Sequence, residues 1–233
     1  GHAQDKLYKW VALLTGSKNA LKGVGFFLGG VLLAALGFGG AVLAMAGALA
    51  VVWLCSLYWL RNDFGKAKAK PKFTELFSKS RAVNILSAAR LFLFGARDVW
   101  FVVALPVFLA AALGWSHWQI GGFRALWIIG YGFVQSIAPY FTGGKSGHVP
   151  DGRTALRWAL PLAAIPAAIA LLLSQGVNPA AVLVIGLMLF GALFAVNSSL
   201  HSYLILSYAK EDGVSMDVGC YYMANAMGRL LGT

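Results

Sequence analysis

Ionisable side chains interrupt stretches of this sequence that are otherwise fit for lipid, and their types and spacing define the chemistry they can do. "SAARLFLFGARDVWFVVALP", residues 87–106, carries Arg90, Arg97 and Asp98. A charge at mid-bilayer costs at least ~2.5–3.5 kcal/mol, so such groups face a cavity or a partner. Arg90 and Arg97 are two helical turns apart and share one face. Arg90 lies ~10–12 Å in from the start of its helix and Arg97 ~20 Å in, too deep to reach the interface easily. Two arginines on one face with a single acid nearby point to an anion site, because guanidinium groups bind oxyanions such as carboxylate and phosphate in bidentate fashion. Asp98, turned about 80–100° away, reads either as an ion-pair lock to a neighbouring helix or as a carboxylate that carries a coupling proton.

Further polar residues follow the same pattern. In "LLTGSKNALKGVGFFLGG", Lys18 and Lys22 are one turn apart on one face, either snorkelling or turned toward the anion site. Arg124 lies ~10 Å from the outer end of its helix, where an interfacial anchor competes with a binding role. "FAVNSSLHSYLILSY" places Asn197, Ser198, His201 and Ser202 in one polar patch. His201 titrates near neutral pH, so it is a candidate proton carrier, with a structural hydrogen bond as the plainer alternative. Asn225 and Arg229 are again one turn apart. There is no HExxH, G-x-S-x-G or P-loop, and the histidines are scattered, so neither catalysis nor a metal or other cofactor is expected.

The elements that must position these groups are membrane helices. Of 233 residues, 59% are hydrophobic and only 12% charged, and the mean hydropathy is +0.73. That leaves too few polar residues to cover a water-soluble domain. Apolar runs of about twenty residues without alternation indicate helices rather than a barrel. Seven helical segments are expected: 9–36, 39–60, 83–112, 117–139, 154–174, 179–209 and one from 218. The connections at 37–38, 113–116 and 175–178 contain no Lys or Arg, and the others are basic, so basic and neutral loops alternate as single crossings require. The N-terminus and the basic loops are then cytoplasmic. The net charge of +11 is explained by this topology, with seven basic residues in 61–81, and not by nucleic-acid binding. Cys55 and Cys220 read as small buried hydrophobes.

The long basic loop suggests an organisation from two six-helix halves, with residues 1–60 as the last two helices of one, 61–82 as the central cytoplasmic loop, and 83–233 as five helices of the other. The chain starts without Met and stops inside an apolar segment, so it reads as part of a longer one.

Three blocks, "LYKWVALLTGSKNALKGVGFFLGG", "SKSRAVNILSAARLFLFGARDVWFVVALPVFL" and "LFAVNSSLHSYLILSYAKEDGVSMDVGCYYMANAMGRLLGT", resemble the ArsJ-type organoarsenical efflux permeases of the major facilitator superfamily. "TGGKSGHVPDGRTALRW" is similar to a degraded copy of that superfamily's G-x-x-x-D-R-x-G-R loop, with Asp151, Gly152 and Arg153 near the expected place. Gly16, Gly25 and Gly29 partly match a glycine pattern of drug–proton antiporters, with Gly30 where that pattern has Pro. The resemblance implies an all-α helical bundle, of which about seven helices are present, in a bacterial inner membrane. It implies export of 1-arseno-3-phosphoglycerate, made from arsenate by a partner glyceraldehyde-3-phosphate dehydrogenase, by proton antiport. On this reading Arg90 and Arg97 hold the anion, Lys18 and Lys22 face them from the other half, and Asn197 and Arg124 assist. Asp98 and His201 then couple protons. The alternatives are a transporter of another anionic metabolite and an intramembrane enzyme acting on lipid or phosphate esters, for which no nucleophile or metal cluster is visible.

Overall fold

The computed structural model describes residues 2–60, 80–143, 150–209 and 214–233. The central basic stretch 61–79, Lys145 and Lys210 lie outside the described residues. All regular structure among the described residues is helical. The elements are α1 (His2–Trp59), α2 (Arg81–Phe101), α3 (Ala104–Ala111), α4 (His117–Ile137), α5 (Pro139–Thr142), α6 (Gly152–Ser174), α7 (Pro179–Tyr208) and α8 (Val214–Gly232).

The helix breaks have local causes. α1 is broken at Gly37, where φ is 67° and ψ 178°. The arginine- and lysine-free connections after α3 and α6 likewise carry positive φ at Gly114 and Gly176, a backbone that glycine adopts without a Cβ penalty. α2 and α3 part at Val102–Val103 because the ring of Pro106 clashes with the carbonyl four residues before it. The expected single segment 83–112 is therefore two helices. At the start of α6, Asp151 and Thr154 form a capping box, with the Thr154 amide donating to Asp151 Oδ1 at 2.9 Å. Asp151, singled out by the loop resemblance, thus acts as a helix cap here. The amide and hydroxyl of Thr154 hold its carboxyl below the usual carboxylate range.

Four stretches among the described residues are long and apolar enough to cross a membrane: Gln4–Trp59, Arg81–Ala111, Gly152–Ser174 and Pro179–Tyr208. The first has 56 residues, ~84 Å if straight, far beyond a hydrocarbon core of ~30 Å. The break at Gly37 divides it into two candidate crossings. α4 and α8 have 21 and 19 residues but carry Gln135, Asn225 and Arg229 toward neighbouring helices.

Contacts fix how the helices run relative to one another. α1 and α4 are antiparallel: Tyr8 meets Thr142, Gly16 meets Gly132, and Gly23 meets Ile129. α2 and α8 are parallel, with Arg90 against Asn225 and Asp98 against Arg229. α7 runs antiparallel to α2 and α6, and parallel to α4. These directions are the ones that single, alternating crossings demand.

Glycines set the closest approaches. A Cβ on Gly16 would stand 2.5 Å from the Gly132 carbonyl oxygen, and one on Gly228 would stand 2.8 Å from backbone carbons of Leu91. Gly25 and Gly29 are spaced as GxxxG, a common close-packing motif of membrane helices, yet a Cβ on either would meet nothing within 4 Å. Only Gly16 of the antiporter-like glycine pattern is used for close packing among the described residues. Cys55 and Cys220 are half-buried rather than buried.

Two buried clusters fill the bundle. One joins Tyr8 and Ala12 of α1 to Val83, Leu86, Leu200 and Tyr203. The other, built around Phe94, Phe101, Trp127 and Phe194, has no α1 residue. The first half of α1 is therefore seated deepest at its Tyr8 end, where Tyr8 hydroxyl and Thr142 Oγ1 are 2.8 Å apart and Tyr203 hydroxyl donates to Gln4 Oε1 at 3.1 Å.

Candidate functional site

α2 supplies the centre of the site, and α1, α4, α7 and α8 enclose it. The i, i+4 and i+8 positions of α2 place Arg90, Phe94 and Asp98 on the buried face. Asp98 is 1% exposed. Arg97 donates from Nε to Asp98 Oδ1 at 2.6 Å, and its Nη2 also pairs with that oxygen. Arg229 of α8 donates from Nε to the other carboxylate oxygen at 2.9 Å. One carboxylate thus bridges two arginines on two helices, and glycine packing between α2 and α8 makes the approach possible.

Arg90 is held differently. Its Nε donates to Asn225 Oδ1 at 3.1 Å, and its Nη1 donates to Ser198 Oγ at 3.1 Å and to the Ser198 carbonyl at 3.4 Å. Ser198 Oγ also accepts from Tyr131 hydroxyl at 2.8 Å. The guanidinium lies over the Phe94 ring, 3.9 Å from its centroid. Among the described residues Arg90 makes no ion pair.

Lysine from α1 completes the field. Lys22 is exposed and within electrostatic reach of Lys18, Arg229 and Arg97. Asn19, on the same stretch, donates from Nδ2 to Gln135 Oε1 of α4 at 2.7 Å and anchors α1 here. The result is Arg97 and Arg229 on a single carboxylate, Lys22 within electrostatic reach of both arginines, and Arg90 two turns back along α2 without an acid among the described residues. Exposed Lys18 stands next to Lys22.

Of the remaining sequence candidates, His201 is buried near Arg90, and its Nδ1 makes no hydrogen bond. Asn197 turns away from the cluster, donating to the Trp158 carbonyl of α6 at 2.8 Å and the Leu193 carbonyl at 3.0 Å. Arg124 lies to one side, its guanidinium 5.1 Å from the Phe101 centroid and 5.9 Å from that of Phe26. The Phe101 ring links it to the main cluster, its centroid 6.0 Å from the Arg97 guanidinium. It borders a pocket of about 390 Å³ with Pro106, Val107 and Ile120. A larger apolar groove of about 410 Å³ between α3, α6 and α7 holds none of these polar residues.

Tyr131 and Tyr221 are the contributors that sequence reasoning missed. Their spacing is that of apolar helix positions, and only the structure shows Tyr131 donating to Ser198 and the Tyr221 ring centroid 5.1 Å from the Arg90 guanidinium carbon.

Apolar helices crossing in alternate directions around a polar, cationic interior are the architecture of a multi-pass membrane transporter. The family profile of the Major Facilitator Superfamily matches residues 4–233, and the chain belongs to that superfamily. No curated protein and no solved structure matches it.

Proposed function

We propose that this transporter carries an organic anion, and that the anion is 1-arseno-3-phosphoglycerate, exported across a bacterial inner membrane to give arsenate resistance. The observation that carries the reading is the charge count of the site: three guanidinium groups and an ammonium against one carboxylate, Asp98, which pairs with Arg97 and Arg229 and leaves Arg90 without an acid among the described residues. Excess positive charge held on helices inside a bundle is expensive unless an anion visits it. The likeness of the three sequence blocks to organoarsenical permeases supplies the cargo, and a glyceraldehyde-3-phosphate dehydrogenase its source. We read residues 1–60 as the end of one six-helix half and 83–233 as most of the second, so that the site lies where α1 of one half meets α2, α4, α7 and α8 of the other.

The sign of the electrostatics bears on coupling. A proton on Asp98 removes the counter-ion of Arg97 and Arg229, so both hold an anion more tightly; a proton on His201 beside Arg90 acts in the same direction. Proton and anion then favour one another, whereas antiport requires them to compete. An inside-negative potential by itself drives an anion outward, by about 2.3 kcal/mol per charge per 100 mV. We therefore favour potential-driven export over proton antiport through Asp98 or His201.

Everted vesicles bearing the transporter and supplied with the arsenate adduct test this. Uptake should follow an interior-positive potential and persist when the pH gradient is collapsed. Uptake that follows interior acidity alone would establish antiport, and absence of uptake of any organic anion would overturn the reading.

A further inference from the structure

Arg90 and Arg97 sit on one helix but in unlike surroundings, and the difference carries information about the shape of the cargo. Arg97 and Arg229 share Asp98, and this end of the site is open: the Arg229 side chain is 52% exposed. Arg90 is 6% exposed and its guanidinium touches only neutral oxygens and rings. The nearest buried acids are remote in register. Asp98 is two turns further along α2, ~12 Å, and Asp217 is ~12 Å before Asn225 on α8. A buried guanidinium without a counter-ion is a costly arrangement.

The neighbours of Arg90 are also unsatisfied. Ser87 Oγ, one turn before it on α2, has no hydrogen-bond partner, and neither do His201 Nδ1 and the Tyr221 hydroxyl. All three residues are more than nine-tenths buried. The Tyr221 ring centroid is 5.1 Å from the Arg90 guanidinium carbon, and His201 is within electrostatic reach of the same group. The Tyr221 hydroxyl faces the Ser202 hydroxyl closely enough to interact with it, though outside hydrogen-bond geometry, and the Ser202 hydroxyl donates to the Ser198 carbonyl at 2.8 Å. Buried polar atoms are normally paired, so orphans gathered around one uncompensated cation mark a missing acceptor. An arginine has five N–H donors, and Arg90 commits only Nε and Nη1 to these bonds. An oxyanion would accept from the remainder and from the two hydroxyls.

We propose that Arg90, Ser87, Tyr221 and His201 form a closed oxyanion socket, separate from the open cluster at Arg97, and that the cargo is an anion charged at both ends. This rests on the reading of the chain as an anion transporter. The geometry sets an upper limit on the length. The Arg90 guanidinium carbon is 3.9 Å and that of Arg97 4.8 Å from the same Phe94 centroid, so the two are no more than about 8.7 Å apart. A linker of up to three or four carbons, at ~1.5 Å per bond, keeps two anionic groups within that limit. A single-headed anion reaches one end only.

Binding to the purified full-length transporter in lipid nanodiscs tests the proposal with three probes: 3-phosphoglycerate, charged at both ends; glycerol 3-phosphate, charged at one; and inorganic phosphate. The wild type should prefer 3-phosphoglycerate over both others by roughly tenfold or more, the worth of one further charge-assisted hydrogen-bonded contact. Arg90→Gln should collapse that preference. Ser87→Ala, which removes a hydroxyl without a hydrogen bond in the fold, and Tyr221→Phe, which keeps the buried ring, should each reduce it by about threefold to tenfold. A preference that survives all three substitutions, or inorganic phosphate binding as tightly as 3-phosphoglycerate, overturns the socket. Failure of the wild type to bind any of the probes or to transport any anion would instead remove the parent reading.

Discussion

Gly228→Ala should disable the site without touching a charged residue. A Cβ at this position would stand 2.8 Å from two backbone carbons of Leu91, with the Leu91 carbonyl oxygen closer still. Backbone on both sides cannot rotate away as a side chain could. Restoring ordinary contact requires α8 to recede from α2 by about 1 Å. The same displacement stretches the Arg229–Asp98 bond from 2.9 Å and the Arg90–Asn225 bond from 3.1 Å to lengths at which neither is a hydrogen bond. Hydrogen bonds to charged groups are worth about 1.5–3 kcal/mol each, so the pair sets a loss of ~3–6 kcal/mol before packing is counted. Thermal unfolding of the transporter in nanodiscs reads the stability, and 3-phosphoglycerate binding reads the site. Gly219→Ala, on the same helix and with nothing within 4 Å of its added methyl, is the control, and it should be neutral or stabilising by about 0.5–1 kcal/mol. Wild-type melting and binding in Gly228→Ala would refute the close packing of α2 on α8 and the argument built on it.

Other perturbations follow from the same geometry. Arg97→Ala should abolish arsenate resistance while membrane expression persists; normal resistance would remove Arg97 from the site. Asp98→Asn leaves Arg97 without its acid, and should destabilise toward the lower end of the ~3–5 kcal/mol typical of a broken buried pair, since half-exposed Arg229 can turn to water. The same variant should bind anions more tightly, and unchanged or weaker binding in a titration would contradict the account of Asp98 as a competing counter-ion. Asn197→Leu removes an α6–α7 tie of ~0.6–1.7 kcal/mol and should leave transport kinetics unaltered, visible as a lower melting temperature alone. Asp151→Ala should cost ~0.5–2 kcal/mol as a lost helix cap. Because the folded carboxyl of Asp151 lies below its ordinary value, the cap's contribution is complete above about pH 3.9 and fades as pH falls through the lower folded value. Asp151→Ala should therefore flatten the acid limb of a melting-temperature profile.

The helical character of the chain, the direction of successive crossings and the polar residues that interrupt apolar runs were legible in the sequence because each rests on a local cost. A polar group in an apolar run and a loop with or without lysine both declare themselves within a few residues of chain. Arg90, Arg97, Asp98, Lys22 and His201 were all found this way, and Gly37, Gly114 and Gly176 turn the chain at the connections that loop charge had marked out.

Partnership across the bundle was beyond its reach. That Asp98 would join Arg97 to Arg229 while Arg90 went without an acid depends on which helices come within bonding distance, and on glycines at 95 and 228 that permit it. Gly25 and Gly29 carry the stronger packing motif and pack against nothing described, because a motif states a capacity for contact and not its address. Asn197 faces α6 and Tyr131 faces Ser198 for the same reason. The chain by itself determined where charge sits along each helix; tertiary structure decided which charges meet, since a pair energy depends on a distance between segments that no local rule contains.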